Sequence, residues 1–124
     1  MSYYHEDNLS PEAMNISRAL VSMKEELEAV DWYHQRADAT NDAELQSILE
    51  HNRDEEVEHA CMLLEYLRRN MPSFDENLKT YLFTQLPVTQ VEEAAEQGEG
   101  GEETQSDDNK DTGAGSLGIG SLAE

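Results

Sequence analysis

The sequence predicts an all-α fold. Two long helices turn back on each other as an antiparallel hairpin, a short C-terminal helix follows, and a second copy of the hairpin pairs with the first to make a four-helix bundle. Three observations carry this. Apolar residues recur at steps of three and four through two long stretches, about 11–39 and about 42–70, which is helical spacing. The segment between them, Ala-Thr-Asn-Asp from Ala39 to Asp42, leaves room only for a tight antiparallel connection. No stretch alternates apolar and polar residues in the period of two that a half-buried strand requires.

Each element has its own signals. Ser10 is placed to cap the first helix and Pro11 fills its first turn, where a missing N–H costs nothing. Ile16, Leu20, Met23, Leu27 and Val30 then form a heptad-like stripe. The second helix is expected to be capped by Asn41, with Glu44 as its reciprocal partner, and to run to about Asn70. Its apolar side carries Leu45, Ile48, Leu49, Leu63, Tyr66 and Leu67. Pro72 closes that segment. Ser73 and Glu76 form a further capping box that starts a short helix to about Thr84, and a last helical piece follows Pro87, from Val88 to Glu96. The expected organisation is a flexible start over 1–10, a helical domain over 11–96, an acidic disordered linker over 97–112, and a distinct tail over 113–124. Composition draws the linker: beyond residue 92 acids dominate and apolar side chains are too few to offset the entropy of ordering the chain.

Size and charge narrow the function. The chain has 124 residues and a formal net charge of −20, so one domain is expected. Phosphate binding needs clustered Lys and Arg, so nucleic acid is not an expected partner. The acidity suits cations. No apolar run approaches the length of a membrane span, and Met-Ser-Tyr-Tyr-His-Glu-Asp at the start lacks the pattern of a secretory signal. With one cysteine, Cys61, a reducing intracellular compartment is expected. Cys61 lies off the polar stripe described next and reads as a small core or interface residue.

One feature breaks the apolar pattern. On the first helix Ala19, Met23, Glu26, Val30, Tyr33 and Ala37 share a face, and Glu26 is its lone charge. On the second, Leu45, Leu49, Asn52, Glu56, His59, Leu63 and Tyr66 share a face whose middle is Glu56 and His59. Folding the hairpin near residue 41 brings Glu26 level with Glu56, and Met23 level with His59. Two carboxylates and an imidazole at one level between helices are ligands that iron, manganese or zinc accept, and a metal offsets the cost of removing them from water. Bundles with di-iron sites use two such sets, a Glu from each of two helices and a Glu-x-x-His from each of the other two. This chain supplies one set, so a symmetry-related second subunit would supply the other. A second polar face carries His51, Glu55 and Glu58, and Glu25 and Glu28 flank Glu26. The plain reading of both is a solvated acidic surface. The alternative is a cation-attracting approach to the site.

Three blocks, EELEAVDWYHQRAD (25–38), HNRDEEVEHACMLLEYLRR (51–69) and KTYLFTQLPVT (79–89), resemble the encapsulated ferritin family, and the tail GSLGIGSL (115–122) resembles the peptide that docks cargo inside encapsulin shells. The resemblance implies a ferritin-like ferroxidase that oxidises Fe(II) to Fe(III) with dioxygen or peroxide, for iron storage as mineral inside an encapsulin nanocompartment in a prokaryotic cytoplasm. It implies a homodecamer, a ring of dimers, with two irons at each subunit-pair interface. Matched by position, the iron ligands are Glu26, Glu56 and His59, with Tyr33 nearby as a catalytic residue. Glu25, Glu28 and Trp32 match an inner secondary metal site for which calcium is a candidate, and His51, Glu55 and Glu58 match an outer one. In the tail Leu117, Ile119 and Leu122 are the apolar anchors for the shell protein. The rival reading is a non-catalytic metal-binding or scaffold cargo protein. A rubrerythrin-type peroxidase fits less well, because such chains carry all four helices themselves.

Overall fold

The structure is a computed structural model and describes residues 4–98. Those residues are all-helical: α1 spans Pro11–Ala39, α2 Ala43–Asn70, α3 Pro72–Tyr81 and α4 Val88–Gly98. The acidic linker, apart from its first two positions, and the tail anchors Leu117, Ile119 and Leu122 lie outside the described residues. No helix among the described residues is long and apolar enough to cross a membrane.

The helix ends follow local chemistry. The Ser10 hydroxyl accepts a hydrogen bond from the Ala13 N–H at 3.0 Å, and Pro11 occupies the first turn, as expected. The cap of α2 is Asp42 and not Asn41: its Oδ1 accepts from the Leu45 N–H at 2.9 Å. Thr40 Oγ1 accepts from the Asp42 N–H at 3.2 Å, and that bond turns the connection one residue later than Asn41 would. The short third helix begins at Pro72, one residue before the expected Ser73, because the Met71 carbonyl already accepts from Phe74 and Asp75 N–H. Pro72 therefore opens α3 as well as ending α2, in the first-turn place that suits proline. That helix ends at Tyr81 and not Thr84, with Thr84 Oγ1 donating to the Tyr81 carbonyl at 2.8 Å.

The described residues fall into two compact units, one ending at Asp75 and one beginning at Glu76. In the first, α1 packs along α2. Ala19, Ala37 and Ala60 are buried there, small side chains that let the helices approach closely, and Leu67 is the one large side chain with no exposed surface. Gln46 Nε2 donates to the Ala37 carbonyl across the pair at 2.9 Å. At the far end Arg68 holds both carboxylate oxygens of Glu65, each at 2.8 Å, and also reaches Asp75, tying the start of α3 to α2. Hydrogen bonds from Arg68 and Arg69 hold the Glu65 carboxyl down at about 2. In the second unit, Val91 of α4 is buried.

The hairpin leaves much of its apolar surface open. Leu27, Ile48 and Met62 are each more than half exposed. Cys61, expected as a core or interface residue, is exposed on α2 and is not core within one chain. These exposed apolar side chains lie on both helices of the pair.

Candidate metal centre

The face that α1 turns toward α2 follows the expected order. Ala19 and Ala37 bury its ends, and Met23, Glu26, Val30 and Tyr33 are half-buried between them. On α2, Leu49, Asn52, Glu56, His59 and Leu63 are half-buried, while Leu45 and Tyr66 at the margins are exposed. Helical spacing puts Glu56 and His59 one turn apart, and the antiparallel register brings Glu26 to them.

Glu26, Glu56 and His59 form one cluster. Each offers a ligand atom, and these atoms lie within 4.8 Å of one another. His59 Nδ1 is 3.2 Å from Glu56 Oε1 and 3.5 Å from Glu26 Oε1. The two carboxylates are about a quarter exposed, at 27% and 25%, and the imidazole 41%. A set that is open on one side can accept an ion there and still leave coordination positions for groups from elsewhere.

The three groups shift one another's protonation through their mutual contacts. A hydrogen bond to Glu56, with partial burial second, raises the Glu26 carboxyl. The same interaction lowers Glu56. His59 is raised, chiefly by its hydrogen bond to Glu56 and further by the charge of Glu26. Two like carboxylates and an imidazole at this separation reach a low-energy state by sharing protons. A divalent cation does the same work with its own charge. The donors, two carboxylate oxygens and an imidazole nitrogen, fit iron, manganese or zinc.

The other candidate residues are placed differently. Tyr33 stands two turns beyond Glu26 on α1, half-buried, with the Arg36 guanidinium over its ring at 5.7 Å. Among the described residues, no other three His, Cys, Asp or Glu side chains converge as the central cluster does. Glu25, Glu28 and Trp32 are exposed on α1, Trp32 at 53%. On the outer side of α2, His51 Nε2 lies 3.6 Å from Glu55 Oε2, and Glu58 is exposed one turn away. Within one chain neither acidic face is gathered into a site.

Known proteins match this chain over most of its length. An "Encapsulated ferritin-like protein" of Rhodospirillum rubrum is 56% identical over 114 residues, 92% of this chain and 81% of the relative. A "Ferritin-like protein" of Thermotoga maritima is 60% identical over 92 residues, 73% of this chain and 81% of that one. A crystal structure of a protein from Nitrosomonas europaea superposes with a TM-score of 0.67 at 55% identity, over 70% of this chain and 98% of that one. The EncFtn-like profile matches residues 2–85, more than half of the chain. This chain therefore belongs to the EncFtn-like family of ferritin-like, iron-related proteins.

Proposed function

We propose that this protein is a ferroxidase, with Fe(II) as its substrate, and that its di-iron centre is completed only where two copies of the hairpin meet. The observation that carries this is the convergence of Glu26, Glu56 and His59 ligand atoms within 4.8 Å on the open, half-buried side of the hairpin. One such set is half of what a ferritin-like bundle uses. A two-fold partner would bring the other half and cover the exposed stripe of α1 and α2 at the same time. We further propose that the assembly is a ring-shaped decamer, that the tail over 115–122 docks it to an encapsulin shell protein through Leu117, Ile119 and Leu122, and that oxidised iron is stored in that shell.

The residues have distinct tasks. His59 binds through a neutral imidazole nitrogen, so its proton must leave first. Glu26 and Glu56 bind as carboxylates, which neutralise the incoming charge. Carboxylate oxygens favour the harder ferric ion, so they make its formation downhill. Two ferrous ions held side by side can give two electrons to dioxygen or peroxide together, which a single ion does poorly. Tyr33 serves as a hydrogen-bond donor or an alternative electron donor beside the site. Glu25, Glu28 and Trp32, and separately His51, Glu55 and Glu58, act as cation-gathering faces, the inner of which suits calcium.

The test is the absorbance change on adding Fe(II) in air. Glu26→Ala, Glu56→Ala and His59→Ala should each remove most of the oxidation above buffer. Wild-type rates in all three exclude this site. Normal metal binding with no oxidation above buffer in the unsubstituted protein would favour a non-catalytic metal-binding or scaffold cargo protein.

A further inference from the structure

Phe83 is held where an aromatic residue is costly twice over. It follows the end of α3 with φ of 63°, in the left-handed region. This is the position after a helix where glycine is usual, and a bulky side chain there is strained. Its side chain is 96% exposed, and Leu82, Leu86 and Val88 beside it are 46%, 55% and 66% exposed. The Leu82 N–H bonds the Leu78 carbonyl and Thr84 Oγ1 bonds the Tyr81 carbonyl. The Leu82 backbone before Phe83 and the Thr84 side chain after it are thus anchored, and the ring is exposed. An outlier kept at this cost points to a role.

A groove of suitable chemistry lies on the exposed side of α2, lined by Glu58, Cys61, Met62, Glu65, Tyr66 and Arg69. Met62 is 59% exposed and Tyr66 39%. A thioether and a phenol ring are good neighbours for an inserted aromatic ring. The groove adjoins the Glu56–His59–Leu63–Tyr66 stripe through Tyr66, so it continues the face that pairing of two hairpins would cover. Charge identifies the occupant. A chain of net charge −20 repels its own copies, and the interval between Glu76 and Glu92 is its longest without Asp or Glu. That interval contains Phe83, Leu86 and Val88, and its one charged residue is Lys79. It is the segment that a second copy can place against a groove rimmed by Glu58 and Glu65 without facing like charges.

We propose that Phe83, with its apolar neighbours, inserts into the Met62–Tyr66 groove of a second copy of this chain. Reciprocal insertion makes the contact self-complementary and closed. It shares with the ferroxidase reading the premise that the chain self-associates, and it does not depend on the iron chemistry.

Cys61, the only cysteine in the sequence, is a native probe inside the groove. The test uses full-length, metal-free protein. At a chain concentration ten times the dissociation constant, a self-associating pair leaves about one chain in five free, so thiol labelling of Cys61 should be slowed about fivefold relative to a dilute sample. Phe83→Gly relieves the strained backbone, so it should keep its helical circular dichroism while that protection is lost. For the partner, an isotope-labelled Cys61→Ser/Gln85→Cys chain is mixed with unlabelled, unsubstituted chain and treated with a short bifunctional maleimide. A heavy–light product joining positions 85 and 61 is expected, and adding Phe83→Gly to the heavy chain should remove it. Unchanged Cys61 protection in Phe83→Gly, or associated chains that give no such product, would overturn the contact while leaving pairing through the metal face standing. Metal-free chains that remain monomeric at all concentrations would overturn the Phe83 contact, and repeating the measurement with Mn(II) added tests pairing through the metal face separately.

Discussion

Raising the pH should tighten cation binding at the Glu26–Glu56–His59 cluster by displacing fewer protons. Glu56 raises His59 through a hydrogen bond at 3.2 Å, and Glu26 lies 3.5 Å away on the other helix. Below its raised pKa, His59 must therefore lose a proton before it can ligate. Each proton displaced steepens the dependence by about tenfold in apparent affinity per pH unit. The slope should be near that value while His59 titrates. It should steepen at lower pH as the proton on Glu26, raised by Glu56, must also leave, and flatten once both are deprotonated. Calorimetric titration with Mn(II), or Fe(II) under nitrogen, from about pH 5.5 to about pH 8 covers the window around the ordinary imidazole value. Repeating it in two buffers of different ionisation enthalpy counts the protons released. Affinity that stays flat, with no proton release, would show that His59 and Glu26 are not ligands.

Other consequences can be checked directly. In metal-free protein, His59 and Glu26 are raised, so their contribution is full below their unfolded values and lost as pH rises through the folded ones; Glu56 is lowered, so its contribution fades as pH falls. Urea midpoints should therefore decline from mildly acidic pH toward neutrality, and added divalent metal should reverse the decline; a midpoint rising steadily with pH would contradict the signs. Leu67→Ala, at a side chain with no exposed surface, should cost about 2–5 kcal/mol in urea unfolding, and a loss under about 0.5 kcal/mol would mean the site is not packed. Ser10→Ala should cost about 1 kcal/mol by leaving the Ala13 N–H without its cap. Deleting residues 115–122 should leave Fe(II) oxidation unchanged and abolish co-purification with encapsulin shells; retained loading would exclude docking through that peptide.

The long helices were legible because their apolar residues step by three and four without interruption, and because Ser10-Pro11 is a strong start signal. The cluster was legible for a related reason. A connection of three residues, Thr40 to Asp42, fixes antiparallel register closely, so three misplaced polar residues on apolar faces could be matched across it. What sequence could not decide were choices among equals. Asn41 and Asp42 both cap well, and a Thr40 hydroxyl bond selects Asp42. Ser73 resembles a cap, yet Pro72 already suits the first turn and the Met71 carbonyl starts the helix. Exposure was also hidden. Cys61 sits near apolar residues in sequence, but on α2 it faces away from the buried Ala60 and Leu67. Nothing in the letters around Phe83 announces its positive φ, because that conformation normally calls for glycine.

Turnover per chain, followed as the protein is diluted while its oligomeric state is measured on the same samples, tests most directly whether one hairpin carries only half of the centre. Fe(II) oxidation per chain should fall in step with the associated fraction and approach the buffer rate for isolated monomers. Folded monomers that oxidise Fe(II) as fast per chain as the assembly would mean that Glu26, Glu56 and His59 of a single chain are sufficient.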